Sequence, residues 1–222
     1  MSNAKKGLYV VFTGAPGCGK GTQARILKEK THICHLSTGE MLREYAAQDT
    51  PLGRDLKALL DRGEFATDEM IIEMVRNRIG QPDCEHGFIL DGFPRTLPQA
   101  EILESLLAEK GIKLTCVLEI QVPDEIIMER ILGRYSCLKC GAGYHDKFQK
   151  PKVYGVCDVC GGTEFGRRKD DNRATVQNRL VNYRLLTYPT IPFFEKRGLL
   201  RTVDGTGTID AVSHKIDEIL EI

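Results

Sequence analysis

The sequence lacks an excess of either charge, a long hydrophobic run and a recognisable leader. Lysine plus arginine and aspartate plus glutamate both total 31, so the overall charge does not predict a nucleic-acid partner, which would need a local basic patch. No run of about 18 or more apolar residues is present, so we expect no membrane-spanning segment and no membrane partner. A charged-then-apolar start with a small-residue cleavage site is also missing, which predicts a cytoplasmic protein.

Internal repeats and low-complexity tracts are absent, so the 222 residues are expected to form either one large α/β domain or a core with inserted lobes. Cysteine, in contrast, is plentiful, with eight residues. In the reducing compartment expected for this protein, closely spaced cysteine pairs indicate metal ligands before they indicate disulfides.

Five short apolar segments predict β-strands, and segments with helical patterns separate nearly all of them. Apolar strands that alternate with helices are typical of a parallel sheet covered on both faces. The sequence therefore predicts an α/β fold with a doubly wound, five-stranded parallel sheet, whose ligands bind at the carboxyl ends of the strands. The predicted strands are LYVVFTG (8–14), HICHLS (32–37), GFILDG (87–92), LTCVLEIQV (114–122) and LLRTVD (199–204).

Two segments interrupt this alternation. The first insert, residues 37–66, contains helical patterns with no strand between them. The second insert, residues 133–171, is rich in glycine, cysteine, lysine and tyrosine and contains two Cys-x-x-Cys pairs, which predicts a small metal-stapled lobe. The remaining segments, 1–36, 67–132 and 172–222, are expected to form the core domain.

A glycine-rich segment, GAPGCGKGT, follows the first predicted strand and precedes a predicted helix. Its glycines let backbone amides curl around an anion, the helix directs its positive end at the same place, and Lys20 adds a mobile charge. The G-x-x-x-x-G-K pattern in this context predicts a phosphate-binding loop (P-loop). The predicted ATP-binding residues of this phosphate loop are Gly14, Ala15, Pro16, Gly17, Cys18, Gly19, Lys20, Gly21 and Thr22.

The phosphate loop lacks the serine or threonine that usually follows its lysine, because Gly21 stands there. ATPases and GTPases that use water as the nucleophile bind magnesium with that hydroxyl, so the sequence disfavours them. Magnesium would then depend on the nucleotide phosphates, water and an acidic neighbour, with Thr22 as a possible helper. Asp91, at the end of the third predicted strand, is the candidate for the acidic role, although an aspartate there is often only a turn or cap residue.

The second insert carries the pairs CLKC (137–140) and CDVC (157–160), separated by sixteen residues. This spacing suits four thiolates around one tetrahedral zinc, and iron would fit the same arrangement. A site filled by four protein ligands has no place for water, so we expect a structural role. The predicted metal ligands are Cys137, Cys140, Cys157 and Cys160.

Three further cysteines receive a simple interpretation from their positions. Cys34 and Cys116 lie in predicted strands and are expected to be buried apolar residues. Cys18 lies at a helix amino terminus beside Lys20, which would lower a thiol pKa, so we hypothesise sensitivity to thiol reagents.

Four motifs, GAPGCGKGTQ, LSTGEMLR, DGFPRTLPQA and RKDDN, resemble those of bacterial adenylate kinases in order and spacing, and the resemblance covers essentially the whole chain. It implies reversible phosphoryl transfer from MgATP to AMP, giving two ADP, with magnesium accompanying ATP. The four-cysteine second insert is similar to the zinc-bearing lid of some members. The first insert would be the part that binds the nucleoside monophosphate (NMP), here AMP. A monomer is expected, because opening and closing around two nucleotides needs no partner.

The resemblance also implies roles for single residues. Arg43 would hold the AMP phosphate, Gln99 would read the AMP adenine, and Arg130 would stack on the ATP adenine. Asp170 and Asp171 would orient arginines at the hinge of the second insert. The implied catalytic residues are Lys20, Asp91, Arg95, Arg134, Arg168 and Arg179. The implied AMP-binding residues are Thr38, Arg43, Gly92, Arg95, Gln99, Arg168 and Arg179, and Arg130 and Arg134 join the phosphate loop in the ATP site.

The chemistry of the reaction agrees with this set of residues. An AMP phosphate is already an anion, so its attack needs no general base and requires only positioning and charge compensation. The histidines, His145 included, are therefore interpreted as surface or packing residues.

Three alternatives stay open from sequence. A kinase of CMP or UMP is disfavoured by Thr38 and by the long four-cysteine insert. A zinc-ribbon nucleic-acid module would use the lysines of that insert but gives the phosphate loop no role. A hydrolytic ATPase would need the missing hydroxyl at position 21.

Overall fold

Strands and helices alternate along most of the computed structural model, which describes residues 7–62, 64 and 66–222. Residues 1–6, within the predicted core segment 1–36, and residues 63 and 65, within the first insert, lie outside the described residues. A 3-10 turn at Pro82–Cys84 precedes the third strand, and a π-helical turn at Tyr183–Thr187 follows the seventh helix. In chain order the elements are β1 (Leu8–Thr13), α1 (Lys20–Thr31), β2 (Cys34–Ser37), α2 (Thr38–Ala46), α3 (Pro51–Arg62), α4 (Asp68–Ile79), β3 (Gly87–Asp91), α5 (Leu97–Glu109), β4 (Cys116–Gln121), α6 (Asp124–Leu132), β5 (Arg134–Cys137), β6 (Gly143–His145), β7 (Phe165–Gly166), α7 (Arg173–Asn182), α8 (Thr190–Glu195), β8 (Leu200–Asp204) and α9 (Ile209–Leu220).

The five predicted strands form one parallel sheet in the order β2-β3-β1-β4-β8, which confirms the predicted fold class. β1 lies in the centre, where Val10 pairs with Ile89 of β3 on one side and with Cys116 of β4 on the other. The chain moves from β1 to one side for β2 and β3 and then to the other side for β4. Parallel sheets of this kind place ligands outside the carboxyl ends of the strands, where the strand order changes direction.

Apolar side chains alternate between the two faces of the sheet and are covered by helices on both. Val11 and Leu90 pack on one face in a cluster with Leu103 of α5, and Val10 and Phe12 belong to a cluster on the other face with α1 and α9. Each fully buried side chain of this size contributes about 1.5–3 kcal/mol relative to an exposed one. The sheet therefore supplies a rigid base from which the loops at its carboxyl ends project.

The first insert contains α2 and α3, and its carboxyl end is hydrogen-bonded to α7. Thr175 Oγ1 donates to the carbonyl oxygen of Asp61 at 3.3 Å, and Asn178 Nδ2 donates to that of Arg62 at 2.7 Å. α2 begins immediately after β2, where Ser37 Oγ accepts a hydrogen bond from the Glu40 amide at 3.3 Å and caps the helix. This cap fixes where the chain leaves the sheet for the insert.

The second insert folds as a small antiparallel sheet in the order β6-β5-β7, which the sequence did not predict. Its strands contain two to four residues each, too few for a period-two pattern to be visible. Tyr135, Tyr144 and Phe165 contact one another with ring centroids 5.5–5.8 Å apart.

Among the helices of the described residues, none is long and apolar enough to cross a membrane.

Candidate active site

A cleft of about 1460 Å³ opens over the carboxyl ends of the central strands. Its walls come from the phosphate loop, the start of the first insert, the second insert and α7. Pockets for a single small ligand usually enclose about 300–1,000 Å³, so this space suits two nucleotide-sized ligands.

The phosphate loop connects β1 to α1 through glycines in left-handed conformations. Gly14 has φ 133°, and a Cβ added there would lie 2.5 Å from the carbonyl oxygen of Ile120. Gly19, with φ 107°, is the N-cap of α1, which begins at Lys20. Glycine suits both backbone angles, and at Gly14 it also permits the close approach of Ile120, so the loop keeps the shape in which its amides can surround an anion.

Lys20 lies folded over the phosphate loop. Its Nζ donates to the carbonyl oxygens of Gly14 at 2.7 Å and Ala15 at 2.9 Å and lies 3.5 Å from Cys18 Sγ. Carbonyl oxygens hold the ammonium group without neutralising it. Its charge is therefore directed into the cleft, where phosphate oxygens would compete for the same protons.

Cys18 is 2% exposed and packs with the cluster that contains Val10 and Phe12. The sequence predicts this thiol at a helix amino terminus beside Lys20, where we hypothesised sensitivity to thiol reagents. Burial of its side chain leads us to expect slow labelling by thiol reagents in this conformation, so the hypothesis of unusual sensitivity is disfavoured.

Asp91, the last residue of β3, is 9% exposed, and its Oδ2 lies 3.4 Å from His35 Nε2. Burial opposes ionisation of this carboxyl. The hydrogen bond from His35 and the nearby charge of Lys20 outweigh burial, however, and hold the pKa of Asp91 below its usual value. A Cβ at Gly21 would lie 3.4 Å from the same Oδ2, which is an ordinary van der Waals contact, so position 21 lies directly beside the carboxylate. Asp91 is thus an ionised acid that lines the cleft.

The contact between His35 and Asp91 was not predicted, because the histidines were interpreted as surface or packing residues. The side chain of His35 is half-buried and lines the cleft. It reaches Asp91 because β2 lies next to β3 in the sheet. Strand order determines this contact, and no spacing in the sequence indicates it.

All six predicted arginines line the cleft, where five are half-buried and Arg168 is exposed. Burial first and the charge of Arg168 second lower the pKa of Arg43 to about 10. Burial and the charge of Arg134 act in the same way on Arg179, whose pKa is also lowered to about 10. Like charges that are gathered in a cleft and partly shielded from water are stabilised by a bound anion, so this arrangement favours phosphate groups there. The predicted arginines of the cleft are Arg43, Arg95, Arg130, Arg134, Arg168 and Arg179, and Arg25 of α1, which was not predicted, also lines it.

The two aspartates of the RKDDN motif each hold one of these arginines. Asp171 accepts two hydrogen bonds of 2.5 Å from Arg134, and Asp170 accepts one of 3.1 Å from Arg179. The bidentate pair with Asp171 fixes the guanidinium plane of Arg134, and the single hydrogen bond with Asp170 orients Arg179. Both arginines keep further N–H donors that can bind phosphate oxygens. The predicted orienting role of Asp170 and Asp171 agrees with these contacts.

Thr38 and Gln99 lie behind the wall of the cleft and are 1% and 2% exposed. Thr38 Oγ1 donates to the carbonyl oxygen of Gly92 at 2.8 Å. Gln99 Oε1 accepts from the Arg95 amide at 2.7 Å, and its Nε2 donates to Asp68 at 2.7 Å. In this conformation both side chains therefore fix the loop that carries Gly92 and Arg95, and a nucleotide would have to replace a contact of Gln99 to use its amide.

Arg130, on α6, approaches the phosphate loop from the opposite side, with Nη1 3.4 Å from the carbonyl oxygen of Cys18.

Residues 205–209, which follow β8, line the same cleft. These residues were not predicted from the sequence. Two signals would have indicated them: the Gly-Thr-Gly-Thr segment 205–208 follows the fifth predicted strand, β8, and ligands bind at the carboxyl ends of parallel strands.

The four cysteines of the second insert come together as the spacing predicted. Cys137 Sγ lies 3.6 Å from Cys160 Sγ, and Cys140 Sγ lies 3.5 Å from Cys157 Sγ. Ligands about 2.3 Å from a tetrahedral zinc lie about 3.8 Å from one another, so this geometry fits the ion. The hydroxyl of Tyr144 donates to Cys157 Sγ at 3.4 Å and is the main cause that lowers the pKa of Cys157 to about 6.

Comparison with known proteins gives one consistent family. The family model described as adenylate kinase matches residues 12–199. The chain is 50% identical to an adenylate kinase of Paramagnetospirillum magneticum over 96% of this chain and 99% of that protein. It is also 50% identical to an adenylate kinase of Allorhizobium ampelinum, with the same coverage. An adenylate kinase of Carboxydothermus hydrogenoformans is 49% identical over 96% of this chain and 100% of that protein.

Proposed function

The chain belongs to the adenylate kinase family, and we propose which of its residues perform the phosphoryl transfer of that family. The protein is an enzyme, an ATP:AMP phosphotransferase, with ATP, AMP and ADP as its nucleotides. The alternative of a CMP or UMP kinase is not favoured, because the similar proteins are adenylate kinases. One observation carries the residue assignment: six arginines converge on the cleft that contains the phosphate loop.

In the proposed mechanism, an oxygen of the AMP phosphate attacks the γ-phosphorus of ATP in line with the leaving β-phosphate oxygen. The backbone amides of the phosphate loop and Lys20 hold the donor phosphates. Arg43 holds the acceptor phosphate, and Arg95 lies between acceptor and transferred group. Arg134, Arg168 and Arg179 compensate the charge that spreads over the transferred group. No residue needs to remove a proton, because the attacking oxygen is already ionised.

Asp91 is the proposed acidic neighbour of magnesium, because its carboxyl is ionised, near Lys20 and free of a side chain from position 21. The chemistry that magnesium supplies when bound with ATP is charge compensation between the β- and γ-phosphates. Contact with Asp91 through water would suit a carboxylate in this position.

The second insert is proposed to hold a structural zinc through Cys137, Cys140, Cys157 and Cys160. Support comes from the sulfur spacing and from the small size of the lobe, which has few apolar residues to bury. The proposed domain division is a core of 1–36, 67–132 and 172–222, an AMP-binding insert of 37–66 and a zinc-binding lid of 133–171. Closure of both inserts over the cleft would exclude water as a competing acceptor.

A cytoplasmic monomer is the proposed working form. All the residues assigned above come from one chain, so the cleft needs no second copy. Four thiol ligands and nucleotide substrates both suit a reducing compartment that contains ATP.

The test combines the protein and MgATP with AMP, CMP, UMP, GMP or water in separate reactions, and measures nucleoside diphosphate formation. We expect a strong preference for AMP and negligible hydrolysis. A preference for CMP or UMP would overturn the roles of Thr38 and Gln99, and hydrolysis without an acceptor would overturn the transfer mechanism.

A further inference from the structure

A second group of cysteines lies at the amino-terminal ends of β2 and β3, away from the cleft. Cys34 is the first residue of β2, and Cys84 ends the 3-10 turn that precedes β3. The sulfur atoms of both and a carboxylate oxygen of Asp83 all lie within 4.8 Å of one another. We call Cys34, Cys84, Asp83 and the adjacent Arg78 the dithiol cluster.

Hydrogen bonds connect all four members of the dithiol cluster. Cys34 Sγ donates to Asp83 Oδ2 at 2.8 Å and to the Asp83 carbonyl oxygen at 3.1 Å. Arg78 donates to both carboxylate oxygens of Asp83 at 2.8 and 2.7 Å, to Cys84 Sγ at 3.2 Å and to Cys34 Sγ at 3.7 Å. The two sulfurs are therefore held side by side by one guanidinium and one carboxylate.

The guanidinium of Arg78 decides between two uses of this geometry. Two thiols and a carboxylate resemble part of a metal site, but Arg78 already supplies the cation that these groups surround. A divalent ion bound there would lie next to the guanidinium and would be repelled by its positive charge. Thiol pairs without a neighbouring arginine do not have this electrostatic cost. The thiolate is the reactive form of cysteine; the guanidinium 3.7 Å from Cys34 Sγ favours it, whereas the Asp83 carboxylate that accepts the thiol hydrogen bond opposes it. The case for a reactive Cys34 therefore rests on access and on the proximity of the two sulfurs.

Access to the dithiol cluster differs between its sulfurs. Cys34 is half-buried, contrary to the expectation that it is a buried strand residue, whereas Cys84 is 1% exposed. The side chain of Asp83 beside Cys34 is 55% exposed, so a small solute can approach from that side. This asymmetry suits an accessible cysteine that reacts first and a buried neighbour that resolves the product.

We propose that Cys34 and Cys84 form a modification site at which a peroxide produces an intramolecular disulfide. The Cys34 thiolate attacks one oxygen of hydrogen peroxide, the O–O bond breaks, and the leaving hydroxide takes up a proton, which gives a sulfenic acid and one water. The Cys84 sulfur then attacks the Cys34 sulfur, the S–O bond breaks, and the Cys84 proton leaves with the hydroxide as the second water. Two thiols and one peroxide thus give one disulfide and two waters.

The disulfide would close a covalent ring of residues 34–84, which contains the whole first insert. A cross-link of this length restricts the unfolded chain far more than the folded one, so it stabilises the folded state. The cluster lies at the opposite end of the sheet from the phosphate loop and Asp91. Oxidation at this site is therefore expected to raise stability and leave turnover nearly unchanged.

The test treats the full-length protein with a small excess of hydrogen peroxide, blocks remaining thiols and maps the peptides by mass spectrometry. We expect a Cys34–Cys84 cross-linked peptide to appear before the thiols of the second insert are oxidised. The melting temperature should rise by roughly 5 °C or more, and the rise should disappear on reduction.

Three variants make the result specific. Cys34→Ser should lose the cross-link and the rise in melting temperature, whereas Cys116→Ser, which changes a buried cysteine of β4, should keep both. Arg78→Gln should slow formation of the cross-link. A Cys34 that is oxidised to sulfinic acid while Cys84 stays reduced would overturn the proposal. A second zinc per chain that disappears in Cys34→Ser would overturn it in favour of a metal site.

Discussion

The core and the second insert are stabilised by different means. In the core, fully buried side chains such as Val10, Phe88 and Leu103 pack between the sheet and the helices on both its faces. Within the described chain, the buried cluster of the second insert consists of Cys137, Ala142, Tyr144 and Cys157, and two of these are proposed zinc ligands.

This difference in core size determines how the stability of each region depends on single residues. Many apolar contacts share the stability of the core, so one substitution removes a fraction of it. A lobe with so small a core depends on a few ligands and is expected to lose its structure when they are lost.

The largest expected effect tests the dependence of the second insert on its thiols. Cys137→Ser combined with Cys140→Ser should abolish zinc binding and unfold the lobe, because structural zinc contributes about 10–16 kcal/mol in zinc-dependent peptides. Elemental analysis and calorimetry would measure metal content and melting. We expect the core transition to persist, so unchanged metal content and unchanged melting would contradict the four-thiolate site.

The next effect concerns the chemistry of the core. Lys20→Met should lower kcat by at least about 10²–10³-fold, since the lysine is proposed to stabilise charge in the transition state. Arg95→Ala should act similarly. Circular dichroism should show an intact fold in both. Lys196→Met, which changes an exposed lysine, is the matched control for Lys20, and near-normal rates for both site variants would disprove the site assignment.

A cavity in the core tests whether stability there is shared. Leu103→Ala removes a fully buried side chain and should lower the free energy of unfolding by about 2–5 kcal/mol. Denaturant titration would measure this loss, and zinc content should stay at the wild-type value. Loss of zinc in this variant would show that the two regions are not independent in stability.

The smallest effect comes from a buried acid in the sheet. Burial raises the pKa of Glu119, which accepts a hydrogen bond from Gln121 at 3.0 Å. The folded protein then keeps this proton to a higher pH than the unfolded chain, so stability falls as the pH rises above about 4.3 through the folded-state pKa. Glu119→Gln does not titrate and should melt roughly 2 °C higher than wild type at pH 7. The two proteins should differ less below pH 4, and an unchanged difference there would contradict this explanation.

Local pattern was sufficient to predict much of the fold. The five strands, the phosphate loop and the four cysteines of the second insert each depend on residues close together in the sequence. Contacts set by strand order were not predictable in this way. His35 reaches Asp91, and Cys34 reaches Cys84, because β2 pairs with β3, and no spacing indicates which strands become neighbours.

Other differences have equally local causes. The strands of the second insert are too short to show a period, so its sheet was missed. Thr38 and Gln99 are predicted to bind AMP, and that assignment stays a prediction; in this structure both are buried and hydrogen-bonded within the protein. Polar residues in a binding motif can serve the loop that carries the ligand contacts, and sequence alone does not distinguish the two uses.

The hydrogen bonds from α7 to the end of the first insert have a consequence for the timing of the reaction cycle. Thr175 and Asn178 hold the carbonyl groups of Asp61 and Arg62, and the same helix carries Arg179, which pairs with Asp170 in the second insert. Separation of the first insert from α7 must break two hydrogen bonds on a helix that also holds the other insert. We therefore expect entry and departure of the two nucleotides to be linked kinetic events, since both inserts are hydrogen-bonded to one helix.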